Sequence, residues 1–447
     1  MSRKLLKQIT NEWRSNLWLA AELLVVSVVM WYVTDFLATQ TIIIGTPMEI
    51  DADECVLVDI SQVPAEAGEY DPSDSTMETS AQGIIAIRDR IGNHPAVEAV
   101  AIAPSSAIPY TQNSWNISMR AADGKDSLIT SYLGWRHVSP DYMRVFRIHG
   151  ANGETPQEMA DVLRHNEALL SANVVSYDIA TQKFTDDEYF NYWVKEYDAD
   201  KSKLIGRVLY TKASGDSVAF RVGGIIRNIK RLEYETPNMA LITCIDENNP
   251  DEVCGNRIVV RARPGQMQQL ITDLNNNATT TFRAGNNYVA STTPFRQIRK
   301  IVQTEYDKEL RNHIVIMLFL MTSIFLGLLG TFWFRTQQRV GEIAIRKVNG
   351  ATAASVFRRL TSEGLLLLTI ATPFAVVCDW LITHYQLNQC VWGWDFFEPA
   401  RFAVTVVITY LLMALMIVLG ILFPARKAIN LPVNGPDDSA RHPVPRT

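Results

Sequence analysis

Four stretches stand out from an otherwise mixed pattern of polar and apolar residues. Leu17–Leu37 is apolar apart from Glu22, Asp35 and a few small polar residues, and Ile314–Phe334 carries no charge. Leu365–Ile382 is broken by Pro373 and Asp379, and Phe402–Phe423 is again uncharged. Each is close to the ~20 residues a helix needs to cross a hydrocarbon core of ~30 Å. The second and fourth lack the polar stripe that helices in soluble cores carry. The first is too long for a signal-peptide h-region, and Thr34–Thr46 offers no small-residue cleavage site, so it is expected to anchor the chain.

The flanks of these runs give an expected orientation, because short basic segments resist translocation. Arg3, Lys4, Lys7 and Arg14 precede the first run, and Arg426 and Lys427 follow the fourth. Arg335, Arg339, Arg346, Lys347, Arg358 and Arg359 lie between the second and third, whereas only Arg401 lies between the third and fourth. Both termini are therefore expected in the cytoplasm, and residues 39–310 outside it.

That external stretch reads as α/β. A strand over Cys55–Ile60, a helix over Met77–Ile91 with Ile84, Ile87 and Ile91 on one face, and a strand over Val97–Ile102 form a βαβ-type unit. A similar unit recurs as Arg257–Arg263, a helix over Gln266–Phe282 and a short strand over Asn287–Ala290. The two units, 50–108 and 238–293, flank a β-rich insertion at 109–237. Within it, Thr185 and Glu188 have capping-box spacing, and Tyr189, Tyr192, Trp193 and Tyr197 fall near one helical face, as a small core or a docking surface.

No Gly or Pro occurs from Phe295 until Gly327, so a stalk over 294–311 is expected to run unbroken into the second span, 312–334. The remaining expected segments are a cytoplasmic N-terminal helix (1–16), the first span (17–38), a cytoplasmic segment (335–361), the third span (362–382), an external loop (383–401), the fourth span (402–423) and a cytoplasmic tail (424–447). The fold class expected is thus four transmembrane helices with one large extracytoplasmic α/β domain.

Composition changes this picture little: the 447 residues carry a formal net charge of −5, with the acidic residues mostly in the external stretch. Of five cysteines, Cys378 lies in the third span and is expected to act as a small apolar residue. Cys244 and Cys254 lie ten apart in a turn-rich stretch where the thiols can either meet in a disulfide or stay free.

Candidate chemistry is sparse. The chain has no HExxH, CxxC or GxSxG, and its seven His residues show no metal-ligand spacing. Gly124-Lys125, its one Gly-Lys pair, is followed by Asp126, so a P-loop is excluded. Glu22 and Asp379 are candidates for an ion or proton path, but both are expected near the edges of the bilayer, where side chains reach water.

Gly341–Thr352 reads GEIAIRKVNGAT. On a helix, Val340, Ile343, Ala344 and Val348 share one side, while Arg339, Glu342, Arg346 and Asn349 share the other; Gly350 sits where a C-cap is expected. The motif closely resembles the EIGIRKALGAT signature of permeases of the MacB and FtsX type, in the mechanotransmitting class of ABC transporters. The likeness extends to HVSPDYMRVFRIHG (His137–Gly150), VGGIIRNI (Val222–Ile229) and FPARKAINLPV (Phe423–Val433). The chain departs from the pattern at Ala344, where the family usually has Gly, and in its tail after Pro432.

The resemblance implies a non-catalytic permease subunit of the inner membrane, with a porter-like subdomain made by the two βαβ-type units. Glu342, Ile343, Ile345, Arg346, Lys347, Gly350 and Ala351 would couple it to a separate ABC ATPase subunit, which would bind the ATP and Mg. It also implies a second permease chain, identical or paralogous, and a periplasmic adaptor; membrane lipid is the solvent, and no nucleic acid is expected. The function implied is substrate export or extrusion driven by that ATPase; the alternative is an FtsX-like regulator that activates a periplasmic partner without transport.

Overall fold

The computed structural model describes residues 13–111, 113–121, 128–176, 204–213, 216–338, 341, 345, 351–390 and 396–430. In chain order these form helix α1 (Trp13–Gly45), strand β1 (Cys55–Gln62), α2 (Met77–Gly92), β2 (Val97–Ala103), β3 (Asn116–Ala121), β4 (Leu128–Val138), α3 (Tyr142–Val145) and α4 (Pro156–Arg164). Next come β5 (Glu167–Ser171), α5 (Ala172–Ser176), β6 (Val208–Ala213), β7 (Asp216–Ile226), β8 (Ala240–Cys244), α6 (Pro250–Val253), β9 (Arg257–Ala262) and α7 (Met267–Asn276). The last are β10 (Arg283–Ala284), β11 (Asn287–Pro294), α8 (Phe295–Gln338), α9 (Ala353–His384) and α10 (Pro399–Asn430). An α/β unit runs from Thr41 to Glu309, and a helical unit takes in the chain up to Gln40 and most of it from Leu310 onward.

The α/β unit has two sheets. In the five-stranded one, ordered β10-β11-β1-β9-β2, β9 lies antiparallel between β1 and β2, and β1 lies antiparallel between β9 and β11. The two expected βαβ-type units are therefore split: each keeps its strands parallel but receives a strand of the other between them. Ile87 and Ile91 of α2 and Leu270 and Leu274 of α7 cover Val56, Val58, Ile258 and Val260 on one face. The opposite face, with Cys55, Leu57, Ala101 and Val259, packs on a second core containing Tyr142, Phe146 and Phe295. Because both faces are buried, β9 is apolar at successive positions rather than alternate ones. Its one buried cation, Arg261, has no exposed side-chain surface; its Nε donates to the Val145 carbonyl at 2.5 Å, and its Nη1 lies 3.3 Å from the Asp51 carboxylate.

The second sheet closes as a barrel, β3-β4-β8-β5-β7-β6, with β6 pairing back on β3. Ile117, Leu133, Leu170, Leu209, Val222 and Leu241 fill it. One strand differs from the sequence-based division: β8 lies within the stretch assigned to the second βαβ-type unit, yet it belongs to the barrel, between β4 and β5. Leu241 faces the barrel interior while Ile242 faces the other core. The aromatic stretch Asp186–Tyr197, with Thr185, lies outside the described residues.

Among the described residues four helices are long and apolar enough to cross a membrane. Leu19, Leu23 and Met30 of α1, Leu367, Leu368 and Ala371 of α9, and Met413, Ile417 and Ile421 of α10 form the core of the helical unit. Helix α9 begins where Thr352 Oγ1 accepts from the Ser355 amide. Helix α8 is a single element of 44 residues, about 66 Å long at the usual rise, with no break near Tyr306.

Candidate functional site at the helix roots and the coupling segment

Of the seven residues assigned to coupling, Glu342, Ile343, Arg346, Lys347 and Gly350 lie outside the described residues. Ile345 is helical and 66% exposed, an apolar side chain presented outward. Ala351 packs against Val356, beside the Thr352 cap of α9.

A second arrangement was not legible in the sequence. After β7 the chain makes an irregular loop, Arg227–Glu235, that touches the C-terminal end of α1 and the start of α8. Lys230 is fully buried, and its Nζ donates to the carbonyls of Ile43 at 2.9 Å, Thr46 at 3.0 Å and Glu233 at 2.5 Å. Three donors meet three acceptors, which is the full capacity of an ammonium group. A helix C-terminus leaves carbonyls unsatisfied and carries partial negative charge, so a cation there serves both needs. The Lys230 amide also donates to the Met48 carbonyl at 3.0 Å, and Arg227 pairs with Glu49 at 3.1 Å. Glu49 takes a left-handed φ of 55°, so this pairing holds a turn that a residue with a Cβ rarely adopts.

The same loop grips α8. Glu233 pairs with Arg299 at 2.5 Å and accepts from Gln303 Nε2. Tyr234 stacks on Tyr306 with ring centroids 3.6 Å apart and planes 5° from parallel. The first residue of α8, Phe295, is fully buried against Phe146 at a centroid distance of 5.4 Å.

In the helical unit, polar groups gather where α1, α9 and α10 approach. Asp35 of α1 lies 3.2 Å from Arg401 Nε and accepts from Asn388 Nδ2 at 3.0 Å. The Phe396 carbonyl accepts from both Asn388 and Arg401, and Trp31 Nε1 donates to Thr405 Oγ1 at 3.0 Å. Asp379 was expected to reach water; instead only 3% of it is exposed, because α9 turns it into the packed protein, where it interacts electrostatically with Asp35. Glu22 accepts from Thr331 of α8 at 3.1 Å. Among the described residues no group of three or more His, Cys, Asp or Glu could hold a metal ion.

The Cys244–Cys254 pair, left open by the sequence, is two free thiols. Cys244 Sγ donates to the Ile245 carbonyl at 3.3 Å and Cys254 Sγ to the Met77 carbonyl at 3.4 Å, so the two side chains serve different partners. Burial, reinforced by Glu247, Glu252 and Asp246, pushes the Cys244 thiol up to about 11, and burial pushes Cys55 up to about 12. Since the thiolate is the nucleophile, Cys55 is expected to resist maleimide at neutral pH in the folded protein and to react fully once unfolded, with Cys244 slow and Cys254 fastest of the three. Mass spectrometry of time-resolved labelling checks the order.

Comparison with known proteins decides what the helical unit resembles. Residues 314–433 match the family model described as FtsX-like permease C-terminal. The match spans the second half of α8, the segment that carries GEIAIRKVNGAT, and helices α9 and α10. Among solved structures, the periplasmic region of MacB from Actinobacillus actinomycetemcomitans aligns over 58% of this chain and 97% of its own, at 10% identity and a TM-score of 0.31. A domain of a permease protein from Porphyromonas gingivalis aligns over 56% and 92%, at 14% identity and a TM-score of 0.29. No curated protein matches the sequence.

Proposed function

We propose that the chain is the permease subunit of an ABC transporter of the MacB type, lodged in the inner membrane with both termini cytoplasmic and the α/β unit periplasmic. A separate ATPase subunit, holding ATP and Mg, would engage the segment around Glu342–Ala351, and its cycle would be carried outward through α8 to drive export. A second permease chain and a periplasmic adaptor would complete the machine. The observation that carries this reading is the FtsX-like match across 314–433, which contains the whole proposed coupling segment between two apolar helices. The exposed apolar Ile345 supports it, since an apolar side chain presented on the cytoplasmic side suits a protein partner better than water.

Affinity purification of the full chain from its native membranes is expected to bring down a Walker-motif ATPase. The double variant Glu342→Lys/Arg346→Glu is expected to lose that partner by at least about tenfold while still inserting in the membrane, because charge reversal at a contact surface turns complementary contacts into repulsive ones. An intact complex from the double variant would remove the coupling assignment. Flux in reconstituted vesicles then separates a transporter from a regulator that hydrolyses ATP through its partner but moves nothing.

A further inference from the structure

We propose that the loop Arg227–Glu235 is a linchpin that makes the C-terminal end of α1 and the beginning of α8 one mechanical piece, with Lys230 as its positioning residue. The proposal deepens the permease reading, on which its functional role rests, but the linkage itself is a property of the α/β unit.

The two grips lie within nine residues of chain. On one side, Lys230 Nζ holds the Ile43 and Thr46 carbonyls and its amide holds Met48. On the other, Glu233 holds Arg299 and Gln303, and Tyr234 lies flat on Tyr306. The grips share an atom group: the Glu233 carbonyl accepts the third Lys230 proton while the Glu233 side chain reaches α8. A displacement of Glu233 with α8 therefore pulls directly on the ammonium that caps α1. The Arg231–Glu235 pair at 2.7 Å braces the loop internally, while the Arg231 carbonyl, accepting from the Tyr110 amide, and Leu232, buried in the second core, hold it to the body of the unit.

A lysine kept only for packing would not need three carbonyl partners. Burying an ammonium is costly unless every proton is satisfied, so its presence implies that the position of all three carbonyls relative to it is held closely. Both helices continue beyond the α/β unit, so the loop ties the two roots together through side chains, in addition to the covalent handover from β11 to α8.

The test is hydrogen–deuterium exchange on the full chain in lipid nanodiscs, read at residues 43–48 and 299–306. Lys230→Met touches only the first segment and Tyr234→Ala only the second. A linchpin requires reciprocity: each variant is expected to raise exchange on the order of tenfold in both segments, while leaving the barrel strands as in the natural chain. Lys230→Arg, which keeps the charge and several donors, is expected to restore most of the protection at both. Loosening confined to the touched segment in each variant would overturn the proposal. Added to the complex with its ATPase, Lys230→Met is expected to retain the partner but to lose any ATP-dependent change at 43–48. Failure to recover an ATPase at all would sink the permease reading and leave the reciprocity result standing.

Discussion

Replacing Arg401 with Leu is expected to destabilise the folded chain by about 3–5 kcal/mol, the usual cost of removing one partner from a buried ion pair. Asp35 would then face the packed interior of three helices with Asn388 as its remaining hydrogen-bond donor, and both members of the pair are almost fully buried, with 2% and 3% of their side chains exposed. The paired variant Asp35→Leu/Arg401→Leu is expected to recover most of the loss, because replacing both partners with apolar groups removes the uncompensated charge. Thermal unfolding of the full chain in detergent, arranged as a double-mutant cycle, reads the difference. A single variant as stable as the natural chain would show that water or lipid headgroups already solvate the pair.

The second large effect is expected at Phe295→Ala. The ring is fully buried, meets Phe146 edge-on at 5.4 Å, and Phe146 in turn meets Tyr142 at 4.8 Å. Truncating a buried Phe costs about 3–5 kcal/mol through lost transfer energy and the cavity left behind. Here the cavity opens where β11 hands over to α8, so pulse proteolysis of the full chain is expected to cut the α/β unit several-fold faster. Cleavage should begin near the root of α8 rather than in the barrel. Phe295→Leu, which fills most of the space, should show less than half the effect.

Much of this architecture could be read from residue spacing. Ile84, Ile87 and Ile91 recur at helical intervals and do line one buried face of α2. The absence of Gly and Pro from Phe295 until Gly327 leaves nothing to interrupt that stretch of α8. Three features were not legible, and each for a long-range reason. The last turn of α1 has no basic residue of its own; its cation arrives from Lys230, 187 positions away. Asp35 looks like an isolated charge in an apolar run until folding brings Asn388 to it from 353 positions away, together with Arg401. Ala240–Cys244 is apolar at successive positions, and such a run cannot say which of two cores will claim it.

That last strand limits how the external part can be re-engineered or exchanged between relatives. Residues 109–237 look like a cassette, yet lifting them out would take five strands of the barrel and strand β8, whose two neighbours leave with them. The exposed backbone edge would invite pairing with other chains. A graft that respects this topology has to carry Ala240–Cys244 along, and because Ile242 also packs into the core that receives Phe295, the recipient must be refitted at that seam.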